Sequence, residues 1–274
     1  MPFITDGRTL IRDALAGRYA MPAFNVSSLE MGRACIEAAE AEKAPVILQT
    51  YPGDLDQATP HVFAAMVRAL AEEASVPVML HLDHGDGLER ATACLRAGYS
   101  SVMFDGDELP LAENVARSRT IATVAHAAGA SMEVAAGGFG AGEGDGGVHL
   151  TEPDAAVTLM RETGADMVAC SVGSRHGQPS KLDLGRLEAI AEAVRGPLVL
   201  HGGSGIPADD LARATELGVV KVNIGAALFR ATVSAWREAA PGAQVHYEVL
   251  PVVRDALRRV AREKIRLMRV HARA

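Results

Sequence analysis

Pro77-Val78-Met79-Leu80-His81-Leu82-Asp83-His84-Gly85 is an apolar run that ends in ionisable side chains and a glycine. An apolar run of this length behind a proline reads as a strand buried along its body, with its tip opening on something polar. Two more histidines stand in comparable places. One is in Gly173-Ser174-Arg175-His176-Gly177, the other in Pro197-Leu198-Val199-Leu200-His201-Gly202-Gly203-Ser204-Gly205.

Working outward, the same kind of run recurs along the chain. Strands are expected at Pro22–Val26, Pro45–Thr50, Pro77–Asp83, Ser101–Asp105, Ser131–Ala135, Asp166–Ser171, Pro197–His201 and Val219–Ile224. Helical spacing fills the gaps at Leu29–Lys43, Pro60–Ala74, Leu88–Ala97, Leu111–Ala128, Glu152–Thr163, Leu184–Val194 and Asp209–Leu217. Thr59-Pro60 and Thr151-Glu152-Pro153 supply a cap followed by an early-helix proline. Gly98, Gly129, Gly164 and Gly218 fall just past helix ends. Strand–helix alternation without a long linker fits a single α/β domain over residues 1–274, either a closed (β/α)₈ TIM barrel or an open doubly wound sheet. Asn25, Asp83, His84, Asp105, His176, His201 and Asn223 all sit at or just beyond C-terminal strand ends. A barrel gathers those ends around one pocket, whereas an open sheet scatters them, so the TIM barrel is the expectation.

Composition narrows the class. The 274 residues are 49% hydrophobic and only 4% aromatic, which suits a helix-rich α/β enzyme. A formal charge of −7 argues against nucleic acid as a partner. The basic stretch Arg254–Arg273 reads as a solvated or subunit-packed helix. Cys35, Cys94 and Cys170 are far apart and form no CxxC pair, as in a reducing compartment. The N-terminus lacks signal-peptide features and no apolar run reaches membrane length. A cytoplasmic protein with no membrane partner is expected.

Three histidines at three strand ends can make a His₃ zinc site with an open position. Spacing alone leaves structural histidines equally open, because no local ligand signature such as HExxH is present. His81 shares parity with Asp83 and is assigned a structural role. Lys221 shares parity with Asn223, which makes it a candidate amine nucleophile. The glycine-rich stretch Gly137–Gly147 formally contains a dinucleotide fingerprint, but no helix opens on it, and an active-site lid is the better reading.

His-Leu-Asp-His-Gly, Asp105-Gly106, Gly-Ser-x-His-Gly, His-Gly-Gly-Ser-Gly-Ile-Pro and Gly-Val-Val-Lys-Val-Asn-Ile together resemble the class II fructose-/tagatose-bisphosphate aldolase family, in the family's order. Met21-Pro22-Ala23-Phe24-Asn25-Val26 and Ala44-Pro45-Val46-Ile47-Leu48 are similar to it as well. The resemblance implies one zinc per chain on His84, His176 and His201, with a monovalent cation as a candidate second ion. It implies that Asp83 exchanges a proton with the C4 hydroxyl and that Asn223 contacts the enediolate. Asn25, Gly177, Gly202, Gly203, Ser204 and Asn223 become substrate and phosphate contacts, and Glu143 the loop acid that moves the C3 proton. A small-molecule ketose substrate and a homodimer or homotetramer follow from the same resemblance.

The chain departs from the family in places. The family's Glu-x-Glu-Leu-Gly is Glu133-Val134-Ala135-Ala136-Gly137 here, which leaves Asp105 and Glu133 as an incomplete second metal position. Ala226 and Ala227 replace a hydroxyl and an acid, and Pro251 replaces the arginine that grips the far phosphate. Aldolase chemistry with an altered ketose is therefore expected, with sugar bisphosphates as poor substrates. A Schiff-base aldolase using Lys221 and a non-catalytic aldolase-like partner subunit are the rival readings.

Overall fold

The computed structural model describes residues 2–138 and 149–268. Its elements in chain order are β1 (Phe3–Ile4), α1 (Gly7–Gly17), β2 (Met21–Asn25), α2 (Leu29–Ala41), β3 (Val46–Thr50), α3 (Pro52–Gln57), α4 (Pro60–Glu72) and β4 (Val78–Leu82). Next come α5 (Leu88–Ala97), β5 (Ser101–Phe104), α6 (Leu111–Ala127), β6 (Ser131–Ala136), α7 (Pro153–Thr163), β7 (Met167–Cys170), α8 (Leu184–Val194) and β8 (Leu198–Leu200). The chain finishes with α9 (Ala208–Glu216), β9 (Val219–Ile224), α10 (Ala226–Ala239) and α11 (His246–Leu267).

Strands β2 to β9 run parallel, each beside the next, and β9 pairs back onto β2. This closes an eight-stranded (β/α)₈ barrel, with all eight expected strands in place. β1 lies outside the ring and pairs Phe3 with Val78 and Ile4 with Met79. It covers the start of β4, whose own pairing to β5 begins only at His81.

The inward face obeys the two-residue period of a strand. Met21, Ile47, Met79, Met103, Met167 and Val199 fill the lower barrel as one buried cluster. Helix α1, which the sequence reading left unassigned, plugs the N-terminal end by adding Leu10, Ile11 and Ala14 to that cluster. Asp6 caps it by accepting from Arg8 N at 3.0 Å. A Cβ on Gly7 would meet Ser131 Oγ at 2.5 Å, so the plug seats because that residue is glycine.

β9 carries one extra residue against β8: Leu198 pairs with Val219, but Val199 pairs with Lys221. The bulge lets Val220 join the inner cluster while Lys221 and Asn223 also reach the barrel axis, one layer higher.

Outside, α11 packs Val249, Val253, Leu257, Ala261 and Ile265 into the shell between helices and strands. Two of its arginines close on the end of α2. Arg262 Nε lies 2.8 Å and Arg266 Nη2 3.0 Å from Glu42 Oε1. The basic C-terminal stretch is thus packed on its own chain as far as it is described. Pro60 and Pro153 occupy first helical turns as expected; Thr59 is the N-cap of α4, without a side-chain hydrogen bond, whereas Glu152 and not Thr151 is the N-cap of α7. Thr151 instead stitches β6 to β7, donating to Ala136 O and accepting from Ser171 N at 2.8 Å. Among the described residues no helix is long and apolar enough to cross a membrane.

Candidate active site

The loops after β4, β7 and β8 bring His84, His176 and His201 together, and their ligating nitrogens all lie within 4.8 Å of one another. Local sequence explains the convergence. His84 takes a left-handed backbone (φ 48°), unusual for a residue with a side chain. Next to it, a Cβ on Gly85 would lie 2.2 Å from Met103 O. Glycine therefore lets the ends of β4 and β5 touch, and Asp105 N donates to Gly85 O at 2.9 Å. Across the mouth, a Cβ on Gly205 would meet Gln178 O at 1.9 Å, which interlocks the loops carrying His176 and His201.

Each of two histidines has a carboxylate behind it. His84 Nδ1 donates to Asp105 Oδ2, and His201 Nε2 donates to Glu133 Oε1 at 3.0 Å. Their remaining nitrogens, His84 Nε2 and His201 Nδ1, face each other 3.0 Å apart. With the back nitrogens donating to carboxylates, the two facing nitrogens share one cation, the proton that His84 retains or a metal in its place. The charges agree. Burial and His84 hold His201 well below the usual imidazole range, and the same causes lower His176. Burial also opposes a charge on His84, but Asp83 and Asp105 outweigh it and raise its pKa to about 9. The donor set of three imidazoles suits zinc.

Asp105 and Glu133, expected as an incomplete second metal position, are both turned toward histidine back nitrogens, and Glu133 also pairs with Lys221 at 2.9 Å. Among the described residues only the three-histidine group gathers as a metal site.

Asp83 is held by three amides. Oδ1 accepts from Asn223 Nδ2 at 2.7 Å, and Oδ2 from Asn25 Nδ2 at 2.8 Å and Gln49 Nε2 at 3.1 Å. Burial pushes its pKa up, yet His84, His201, Lys221 and Asn25 together bring it down to about 2. The result is a fixed carboxylate 3.9 Å from His84 Nε2.

Lys221 is fully buried below this layer, its Nζ donating to Asn223 Oδ1 at 2.6 Å. An ammonium can only donate, so the Asn223 amide must present its NH₂ to Asp83. Lys221 does not line the cavity, which removes the support for it as a nucleophile. His81 keeps its structural place, bonded through Nδ1 to Ser101 Oγ at 2.8 Å.

A cavity of about 590 Å³ opens over these groups. Asn25, Asp83, His84, His176, Gly177, Gly202, Ser204 and Asn223 line it, as the sequence indicated. Gly203 lies behind the wall, where a Cβ would meet Val222 Cγ1 at 2.3 Å. Ser204 Oγ accepts from Ala227 N at 3.1 Å, and Ala226 lines the same end. Pro251 lies apart, in a smaller cavity between α2 and α11. Gln49, Tyr51 and Phe229 were missed. Gln49 has no motif of its own, although its inward parity with Ile47 was a usable signal. Glu143 and most of the Gly137–Gly147 stretch lie outside the described residues.

A family model described as class-II fructose-bisphosphate aldolase matches residues 5–273. The fructose-bisphosphate aldolase of Streptococcus pyogenes serotype M3 is 40% identical over 245 residues, 86% of this chain and 83% of that protein. Among solved structures, the YdjI aldolase of Escherichia coli K12 superposes with a TM-score of 0.88 at 32% identity, covering 98% of both chains. A fructose-bisphosphate aldolase of Campylobacter jejuni, at 23% identity and a TM-score of 0.82, shares the fold.

Proposed function

The chain belongs to the class II fructose-bisphosphate aldolase family, and on that premise we propose a zinc-dependent enzyme that reversibly cleaves a ketose phosphate into dihydroxyacetone phosphate and an aldehyde. That it is an aldolase, a metal-dependent carbon–carbon lyase, follows from family membership. The observation carrying the rest is the pair of opposed imidazole nitrogens, each backed by a carboxylate, beside an ionised Asp83.

His84, His176 and His201 would hold the zinc, whose Lewis acidity would polarise the ketose carbonyl and favour the charge that develops as the bond breaks. Asp83 accepts the proton of the C4 hydroxyl during cleavage and returns it during condensation. Its three amide donors fix the carboxylate in place. Asn223 and Asn25 orient both Asp83 and the substrate hydroxyls. Gly177, Gly202 and Ser204 surround the phosphate end, where backbone N–H groups can approach an anion closely, while Gly203 supports that loop from behind by donating its N–H to Asn223 O at 2.9 Å. Glu143, outside the described residues, would supply the acid that moves the C3 proton.

The test is metal content, followed by chelation and reconstitution. One zinc per chain, activity lost to chelator and restored by zinc or cobalt, is the expected outcome. Full activity in protein stripped of metal would refute it.

A further inference from the structure

The two ends of the cavity differ in charge, and the difference bears on the substrate class within the aldolase reading above. In an eight-stranded ring β3 and β7 stand four strands apart, so the loops that follow them face each other across the mouth.

At the β7–β9 side, two cations brace the wall. Arg230 Nη1 donates to Gly177 O at 3.0 Å, and Lys264 Nζ donates to Ser204 O at 3.2 Å. Neither forms an ion pair with a carboxylate among the described residues. Lys264 is pulled below its usual range by burial, against the pull of Glu263, and Arg230 adds its like charge. Helix α10 also begins here, its first residue Ala226 lining the cavity and Ala227 N donating to Ser204 Oγ, which brings the positive end of the helix to this side. Neither cation lines the cavity, so each acts on an incoming anion through its field from behind the wall, and two like charges beside a helix start favour that anion.

The β3 side is the reverse. Tyr51, Pro52 and Gly53 line the cavity, and the Tyr51 ring lies over Gly53, where a Cβ would come within 2.7 Å of it. Directly behind, the buried Asp54 accepts from Tyr51 N at 3.1 Å. The cation of this side, Arg90, is already held by Asp86 at 3.0 Å and Asp56 at 3.2 Å. Asp56 and Asp86 thus hold that guanidinium, Asp54 lies behind Tyr51, and the surface offered to substrate here is the Tyr51 ring with Pro52 and Gly53. An anion placed there meets the charge of Asp54, and no cation among the described residues lines that side of the cavity.

We infer that the substrate is a ketose 1-phosphate whose aldehyde half is uncharged. Its single anion sits at the Gly177–Ser204 end, and its aldehyde carbons pack against Tyr51. Bond changes are those of the aldol reaction: the C3–C4 bond breaks, and the C4 hydroxyl proton passes to Asp83 as the neutral aldehyde forms.

Two measurements on the zinc-loaded enzyme test this. The first is deuterium exchange into dihydroxyacetone phosphate, followed by NMR without any aldehyde. The second is kcat/KM for condensation with neutral aldehydes such as glyceraldehyde and erythrose, against glyceraldehyde 3-phosphate. Exchange together with a preference for neutral aldehydes, on the order of tenfold or more, is expected. Arg230→Gln should raise KM for dihydroxyacetone phosphate more than for free dihydroxyacetone, and Tyr51→Arg should improve use of the phosphorylated aldehyde. Exchange with a clear preference for glyceraldehyde 3-phosphate overturns this inference and leaves the aldolase reading standing. No exchange sinks both.

Discussion

Replacing Lys221 by Met removes the cation at the barrel axis while keeping most of its stem. Its Nζ lies 2.6 Å from Asn223 Oδ1 and 2.9 Å from Glu133 Oε2, with Lys221 and Glu133 wholly buried. The variant leaves the Glu133 carboxylate with His201 Nε2 as its close donor. Breaking a buried pair from one side costs about 3–5 kcal/mol. For 274 residues the unfolding entropy is about 0.6 kcal/mol/K, so Tm should fall by about 5–9 °C.

Turnover should fall separately, because the Asn223 amide loses the partner that fixes which end faces Asp83. Misplacing a positioning group costs up to about 10²-fold, and a kcat loss of about 10–10² at nearly unchanged KM is expected. The assay is thermal unfolding alongside kcat and KM at 25 °C, for Lys221→Met and for Lys221→Met with Glu133→Gln. The double variant removes both charges while the new side-chain amide oxygen still accepts from His201, so most of the lost Tm should return and the lost kcat should not. If the single variant keeps both Tm and kcat, or the double variant regains full turnover, the positioning argument is wrong. Borohydride added with substrate should leave no adduct on Lys221.

Asp83→Ala should retain its zinc and lose turnover by about 10²–10⁴-fold; metal analysis and steady-state kinetics check both halves. Asp105→Ala should weaken zinc about 10–100-fold, since it removes the acceptor that orients His84; competition with a chromogenic chelator measures it. Gly85→Ala should lower zinc occupancy, because its Cβ would be driven into Met103 O and displace the backbone of His84; metal content per chain is the readout.

The barrel was legible because an inward-facing position recurs every second residue, and because the chain gathers ionisable and amide side chains at several C-terminal strand ends. That rule located Asn25, Asp83, His84, His201 and Asn223 without any distance. It could not say what a carboxylate at a strand end does. Asp105 and Glu133 are acids of the right kind to bind a metal, and sequence offered no reason to separate ligand from support. The distinction rests on contacts across 21 residues from His84 and 68 from His201. Helix α1 was invisible for a related reason: its apolar face, Leu10, Ile11 and Ala14, is short, and gains meaning only from the open barrel end it fills. The β9 bulge is likewise a property of two strands, so the simple parity that paired Lys221 with Asn223 was right while Val220, one residue earlier, also faces inward. Tyr51 illustrates the same boundary on the functional side. One aromatic residue after a strand carries no motif, yet β3 stands opposite β7, and its position relative to Arg230 and Lys264 gives the cavity a direction. Chemistry in this chain is written in residue types at strand ends, whereas substrate choice is written in which ends oppose each other across the ring.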